Sequence, residues 1–218
     1  MDVTSERLSR TLWIGVGLLI VILAVALALS GVEPKRGRAA APPVLGQVAD
    51  FMLTNQNGQT VTLADLRGHV WVADIIFTSC AGPCPRMTKQ MKALQDGLPS
   101  ASNARLVTLT TDPGTDTPAV LKTYAARFGA DLGRWMFLTG TKREIAGLAI
   151  GSLKLTAIEK KPEEREDPND LFIHSTIFVV VDKQARLRGV FETEGEAIDP
   201  LRARKEILAT VQQLERER

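Results

Sequence analysis

Cysteine, histidine and aromatic residues are scarce in this sequence. Its 218 residues include two cysteines, two histidines and 5% aromatic residues. No run of five or more Lys and Arg residues occurs, and the formal net charge is only +2. Composition therefore gives no support for nucleic-acid binding. The balance of 44% hydrophobic and 24% charged residues is that of a globular domain with a sizeable core.

One apolar run stands apart from the rest of the chain, because no charged residue occurs from Thr11 to Val32. A helix rises about 1.5 Å per residue, so a run of this length spans a bilayer core of roughly 30 Å. Trp13 lies near one end, where an interfacial indole is expected. The run predicts a transmembrane anchor over residues 11–32. A cleaved signal peptide is the alternative, which the small-x-small triplet at residues 28–30 favours.

The anchor divides the chain into four segments. Residues 1–10 form a short tail, 11–32 the anchor, 33–43 a proline-containing linker, and 44–218 one folded domain. Basic residues flank the apolar run on both sides, so the positive-inside rule leaves the orientation of the anchor open.

Within the domain, strand and helix patterns alternate, which predicts an α/β fold with a mixed sheet and helices on both faces. The run from His69 to Phe77 is almost entirely apolar and predicts a central strand. A β-hairpin is predicted around Asn57-Gly58, which favours a type I′ turn. Ala157–Asp170 is charged and predicts an exposed loop, or a surface for a partner. Further strands are predicted at 105–110, 135–138, 176–182 and 186–192, and helices at 85–98, 117–128, 142–153 and 200–216.

Cys80 and Cys84 are separated by three residues, between the central strand and the helix that Pro85 begins. Sites in open α/β sheets lie outside the carboxyl ends of the strands. Cys84 is expected at or near the N-cap, where the helix end lowers the pKa of a thiol. The spacing therefore predicts a reactive, thiolate-rich pair.

Three interpretations of the cysteine pair compete. A structural disulfide would close so short a loop that it would constrain the unfolded chain little. A thiol–disulfide exchanger usually has two residues between its cysteines, one fewer than here. A pair with the longer spacing can still alternate between the dithiol and the disulfide. Two thiolates on a short loop also suit Cu(I), with an imidazole as the usual third ligand.

Each of the two histidines has a different expected position. His69 precedes the central strand, so it is expected at the end of that strand far from Cys80 and is interpreted as structural. His174 lies just before the apolar strand at 176–182, an approach that can bring it beside the cysteine loop. Position alone leaves a structural role for His174 as open as a functional one.

The sequence resembles the Sco/SenC family of copper chaperones over residues 44–214. The resemblance rests on four ordered blocks: Phe77-Thr78-x-Cys80-x-x-x-Cys84-Pro85, Thr111-Asp112-Pro113-x-x-Asp116-Thr117-Pro118, Leu138-Thr139-Gly140, and His174-Ser175-Thr176 followed by a strand.

This resemblance implies a thioredoxin-like fold and a copper ion bound by Cys80, Cys84 and His174. It also implies a role in assembling the copper centre of a respiratory terminal oxidase. The protein would deliver copper to the receiving subunit or keep the target's cysteines reduced, the second being a thiol–disulfide reductase activity. Other copper carriers would be further partners. Family members are held by one N-terminal helix, so the resemblance places the domain in the periplasm, anchored in the bacterial inner membrane.

Two acidic residues in the second block have separate expectations. Asp112 follows a strand that should end near the cysteine loop, so it is either a group next to the metal ligands or a surface carboxylate. Asp116 precedes Thr117-Pro118 and is predicted to cap the helix that starts there. A peroxidase-like thiol enzyme is the remaining alternative, and it has no candidate base other than His174.

Overall fold

The computed structural model describes residues 3–30, 41–155, 157–159, 172–174, 176–195 and 197–217. The chain divides into two compact units, Met1–Ala40 and Ala41–Arg218. The first unit contains helix α1, Val3–Ser30, which includes most of the apolar run. Over the part of the chain that the structure describes, no helix is both long and apolar enough to cross a membrane.

The second unit alternates strands and helices along the chain, as the sequence patterns predict. Its strands are β1 Gly46–Gln47, β2 Met52–Asn55, β3 Thr60–Thr62, β4 Trp71–Ile76, β5 Arg105–Thr110, β6 Trp135–Thr139, β7 Ala157–Glu159, β8 Phe172–His174, β9 Ile177–Val181 and β10 Arg186–Glu192. Its helices are α2 Leu63–Leu66, α3 Cys84–Gly97, α4 Pro118–Arg127, α5 Lys142–Ala146, which continues into a π-helical segment at Gly147–Ser152, and α6 Pro200–Arg216.

Eight of these strands form one mixed sheet in the order β1-β10-β9-β4-β5-β6-β2-β3. Strands β4, β5 and β6 are parallel, whereas β9 pairs antiparallel with β4. The carboxyl ends of β4, β5 and β6 and the start of β9 therefore lie at one edge of the sheet, which we call the site edge. The mixed α/β architecture expected from the sequence is confirmed.

Strand β4 is the centre of the domain because its side chains serve two hydrophobic cores. Successive residues of a strand point to opposite faces of the sheet. Val72 and Ile76 join the core that includes α3 and α6, and Trp71 and Ala73 join the core on the other face. All six residues of β4 are buried, which explains the nearly continuous apolar run in the sequence.

The predicted hairpin is present, but its turn differs from the predicted type I′. Strands β2 and β3 pair antiparallel, and the Gly58 N–H donates to the Asn55 carbonyl at 2.9 Å. Gly58 has a φ of 77°, while Asn57 is not among the residues with positive φ. A type I′ turn needs positive φ at both central residues. The side chain of Asn55 instead accepts from the N–H groups of Asn57 and Gln59 and stabilises the observed loop.

The segment predicted as an exposed loop at 157–170 begins with a strand. Strand β7 pairs antiparallel with β8 in a separate two-stranded sheet, with Ala157 opposite His174. The prediction of a loop is therefore wrong for residues 157–159. Residues 160–170 lie outside the described residues, as does the proposed partner surface that they would form.

Candidate metal centre

The cysteine loop connects the carboxyl end of β4 to the first turn of α3. Strand β4 ends at Ile76, and Cys84 is the first residue of α3. Pro83 occupies the N-cap position and Pro85 follows inside the first turn, where a missing N–H leaves no helical hydrogen bond unmade. The prediction that the pair lies between the central strand and a helix start is confirmed.

Both cysteines are buried thiols in this structure. Cys80 is 8% exposed and Cys84 is 0% exposed, and both pack in the core that contains Met87. A hydrogen bond joins the side chains of Cys84 and Cys80. Gly82 lies beside Cys80, because a Cβ at this position would be 3.9 Å from Cys80 Sγ. Two sulfur atoms in contact can share one soft metal ion or form a disulfide.

The pKa of the Cys84 thiol is raised, which contradicts the lowered pKa expected from its place at a helix start. The hydrogen bond to the Cys80 sulfur is the largest cause, followed by burial and by the charge of Cys80. A backbone hydrogen bond from Phe77 acts in the opposite direction but does not outweigh them. In the reduced, metal-free pair, Cys84 therefore keeps its proton, because a second negative sulfur in this buried position would be unfavourable.

Two polar side chains that the sequence patterns did not single out, Thr88 and Tyr124, lie near Cys84 in the core. The Thr88 hydroxyl donates to the Cys84 carbonyl at 2.9 Å and lies 2.8 Å from the Tyr124 hydroxyl. Burial raises the pKa of Tyr124. These contacts join the first turn of α3 to α4 within the core.

Asp74 is a second group that the sequence reasoning missed. It is a fully buried carboxylate in the middle of β4, and its Oδ1 accepts from the Thr108 hydroxyl at 2.7 Å. The Trp135 indole N–H donates to the same hydroxyl at 2.9 Å. The charge of Asp74 also contributes to the raised pKa of Cys84. The signal was available, because Asp74 is the one acidic residue in the apolar run of residues 69–77.

Asp116 does not cap α4, so that prediction is wrong. Thr117 is the N-cap residue, and its hydroxyl accepts from Val120 N at 3.4 Å. The Asp116 carboxylate is fully buried and accepts from Thr78 N at 3.1 Å and from the hydroxyls of Thr78 and Thr110. Asp116 therefore joins the cysteine loop to the end of β5.

Asp112 lies in the turn that leads to Asp116. Its N–H donates to the Thr110 hydroxyl at 3.0 Å, and its carbonyl accepts from Asp116 N at 2.8 Å. The negative charge of Asp112 contributes to the raised pKa of Asp116, although burial is the larger cause. Asp112 is thus close to Asp116, the residue that bonds the cysteine loop. Whether Asp112 acts as a group next to the metal ligands or as a surface carboxylate is not tested.

His69 has the structural position expected for it. It lies just before β4, at the end of the strand opposite the site edge, and its Nδ1 is 2.8 Å from the Asn103 carbonyl oxygen.

The side chain of His174 lies outside the described residues, and so the three-ligand site is not tested. Its backbone forms the last position of β8, and β9 begins at Ile177 on the site edge. Within the described residues, no cluster of three or more His, Cys, Asp or Glu side chains forms a metal site.

An ion pair joins the first turn of α3 to the end of β10. Arg86 donates to both Glu194 carboxylate oxygens, with Nη2 2.8 Å from Oε2 and Nε 3.2 Å from Oε1. The preceding residue, Thr193, donates from its N–H and its hydroxyl to the Thr176 carbonyl, at 2.9 and 2.7 Å. The helix that carries Cys84 is thereby connected to the chain two residues after His174.

Two adjacent buried thiols between a parallel strand and a helix, on a mixed sheet covered on both faces, define a thioredoxin-like dithiol protein. The chain belongs to the SCO1/SenC family, whose sequence profile matches residues 42–209. The resemblance seen in the ordered blocks of the sequence is confirmed.

Relatives of known name and structure agree with this assignment. The SCO1 protein homolog of Bacillus subtilis is 37% identical over 153 residues, which are 69% of this chain and 76% of that protein. A protein of Stutzerimonas stutzeri that is provisionally named a copper-binding protein is 29% identical over 65% of this chain and 67% of its own. The solved structure of BsSco is 34% identical, covers 82% of this chain and 99% of its own, and has a TM-score of 0.67. BsSco is described as a Sco-family cytochrome c oxidase assembly protein with a disulfide switch.

Proposed function

We propose that this protein binds copper and assists assembly of the copper centre of a respiratory terminal oxidase. Cys80, Cys84 and His174 would hold the ion, which is the cargo delivered to the copper-receiving subunit. The placement of two buried thiols at the site edge, between the end of β4 and the start of α3, is the observation that carries this proposal.

The chemistry of the donor set favours copper. Thiolates are soft ligands that suit Cu(I), and an imidazole is a common additional ligand. A bound Cu(I) would replace the proton that Cys84 otherwise keeps and would compensate the charge of two buried sulfurs. Strand β9 begins at the site edge, and His174 precedes its first residue by three positions. This placement supports His174 as the third ligand.

Relatives support both the cargo and the target. The Stutzerimonas stutzeri relative has a provisional copper-binding name. BsSco is described as a cytochrome c oxidase assembly protein, and its likeness covers 82% of this chain. These descriptions apply to those proteins, and their transfer to this chain is part of the proposal.

Tethering and location also belong to the proposal. The uncharged run from Thr11 to Val32 supports an anchor in the bacterial inner membrane. A domain on the periplasmic side is part of the same proposal, because a copper centre assembled outside the cytoplasm would need its copper supplied there.

A thiol–disulfide reductase is the second candidate, favoured by the contact between the thiols and by the disulfide switch described for BsSco. In this reaction one thiolate attacks a disulfide of the target and forms a mixed disulfide. The second cysteine then resolves it, leaving a Cys80–Cys84 disulfide and two reduced thiols on the target. Two electrons pass from this protein to the target, so a reductant must restore the pair.

His174→Ala separates the two candidates because it leaves both cysteines in place. The variant is expressed in a strain lacking this protein, and the copper content and activity of the oxidase are measured. If copper binding is the function, we expect loss of assembled oxidase comparable to the loss in Cys80→Ser. His69→Ala is the matched control and should assemble the oxidase normally, since His69 lies at the end of β4 far from the cysteine loop.

Normal oxidase assembly with His174→Ala, together with loss in Cys80→Ser, would contradict the copper-binding proposal and favour the reductase. Restoration of assembly in Cys80→Ser by added copper would instead argue against an essential thiol exchange.

A further inference from the structure

A fully buried carboxylate, Asp116, is placed where it controls the start of the cysteine loop. It accepts hydrogen bonds from the Thr78 backbone N–H and from the hydroxyls of Thr78 and Thr110. Thr110 ends β5, and Thr78 precedes Cys80 by two residues. One side chain thus fastens the loop to the neighbouring parallel strand.

The role of Asp116 is not explained by the helix that follows it. Thr117 supplies the cap of α4, so the helix does not need the Asp116 side chain. A buried carboxylate is unfavourable unless its oxygens are well hydrogen-bonded. Burial accordingly raises the pKa of Asp116 despite its three donors. The hydrogen bonds from Thr78 and Thr110 offset the cost of burying the Asp116 carboxylate. Because Thr78 is in the loop and Thr110 is in the sheet, these bonds also connect the loop to the sheet.

The position of Thr78 determines where Cys80 can lie. A chain spans at most about 3.6 Å per residue, so two residues leave Cys80 little freedom once Thr78 is fixed. The Cys80 N–H also donates to the Phe77 carbonyl at 3.3 Å, which closes a turn around Thr78. Cys84 is positioned separately, as the first residue of α3.

We propose that Asp116 is a positioning residue that sets the separation of the two cysteine sulfurs by holding Thr78 against the end of β5. This inference deepens the proposed function. The expected effect on copper binding rests on that function, whereas the expected effect on the Cys80–Cys84 disulfide is independent of it.

Two effects follow from this arrangement. A loop held in place presents both sulfurs to one copper ion without a further loss of freedom. It also gives the thiols a high effective concentration, which favours the Cys80–Cys84 disulfide. Releasing Thr78 should weaken copper binding and make the disulfide easier to reduce.

The test compares Asp116→Asn, Thr78→Val and the double variant in the whole chain, purified in detergent. Removing a partner that orients a metal ligand typically costs about 10-fold or more in metal affinity. We expect each single variant to bind Cu(I) about 10-fold more weakly, in competition with a chelator. In a glutathione buffer the disulfide should be reduced about 10-fold more readily, equal to about 30 mV for a two-electron couple. The double variant should be no worse than the single variants, since they break the same connection.

Thr117→Ala is the matched control, because it removes the cap of α4 one residue away. It should lower resistance to denaturation but leave copper affinity and the glutathione equilibrium within about twofold of the parent. The proposal is overturned if Asp116→Asn and Thr78→Val leave both quantities within that range. It is also overturned if Thr117→Ala changes them equally, since that would indicate general destabilisation.

Two further outcomes are decided within the same experiment. If Asp116→Asn does not fold, Thr78→Val decides, because it removes only the Thr78 hydroxyl and keeps the carboxylate with its bonds from Thr110 and from the backbone N–H of residue 78. If the parent binds no copper, the proposed function fails, while the glutathione equilibrium still tests the role of Asp116.

Discussion

Cys84 illustrates how a neighbouring thiol and burial together can outweigh a helix end. A thiol in the first turn of a helix faces unpaired backbone N–H groups, which favour the thiolate. Cys84 is instead hydrogen-bonded to Cys80, and its side chain has no contact with water at 0% exposure. A helix end contributes on the order of 1 kcal/mol, whereas loss of solvation for a buried charge is larger. The raised pKa of Cys84 follows from this balance.

The raised pKa predicts a loss of stability at alkaline pH in the reduced, metal-free chain. Below the ordinary thiol pKa of about 8.5, both the folded and the unfolded chain keep the Cys84 proton, so its contribution to stability is complete. Above that pH the unfolded chain releases the proton while the folded chain retains it, and the contribution is lost progressively.

Urea unfolding of the parent and of Cys84→Ala checks this prediction. The difference in their free energies of unfolding should fall by up to about 1.4 kcal/mol per pH unit above about pH 8.5. A difference that stays constant between about pH 7 and about pH 10 would show that Cys84 has an ordinary pKa in the folded chain.

The sequence predicted where Cys80 and Cys84 lie but not the groups that surround them. Cys80 and Cys84 are identified by their spacing and by the apolar strand before them, both of which are local patterns. Asp116 and Thr117 are adjacent, and both are good helix caps. The hydrogen bonds from Thr78, which is distant along the chain, and from Thr110 at the end of β5 decide that Asp116 faces the loop.

At the scale of elements, prediction succeeded where hydrophobic periodicity was strong. Strand β4 and helix α3 have such patterns, and both are present as expected. Strands β7 and β8 were missed because each has only three residues, which is too few for a periodic pattern; among the described residues they form a separate two-stranded sheet. The hairpin at Asn57-Gly58 was predicted, but the hydrogen bonds of the Asn55 side chain select a different turn.

The ion pair between Arg86 and Glu194 leads to a prediction about the contact between elements. The pair joins α3 to the segment at Thr193 and Glu194, which is hydrogen-bonded to Thr176. Glu194→Gln should therefore weaken copper binding. The expected loss is up to about fivefold, because an exposed ion pair contributes about 0–1 kcal/mol. The charge exchange Arg86→Glu with Glu194→Arg should restore the affinity. Copper affinity from chelator competition is the measurement.

The matched control is Glu206→Gln, which breaks an exposed pair with Arg202 on α6 and should leave copper affinity unchanged. Equal effects of Glu194→Gln and Glu206→Gln would contradict a specific role for the pair on α3.

At the scale of the whole domain, Arg188 connects segments that are far apart in the sequence. It is 4% exposed, pairs with Asp182 at 2.7 Å and Glu217 at 2.8 Å, and donates to the Pro42 carbonyl at 2.9 Å. The beginning and the end of the domain are thereby fixed to β10. The site edge is at the other end of β9, so this cluster supports the sheet without contacting the cysteine loop.

The central claim is that Cys80, Cys84 and His174 together bind one copper ion. The most direct test is the copper content and thiolate-to-copper absorption of the whole chain, with Cys80→Ser, Cys84→Ser, His174→Ala and the control His69→Ala. We expect one copper per chain in the parent and in His69→Ala, and strongly weakened binding in the other three variants. Unchanged stoichiometry and affinity in His174→Ala would contradict the three-ligand site, and absence of copper from the parent would contradict the proposed function.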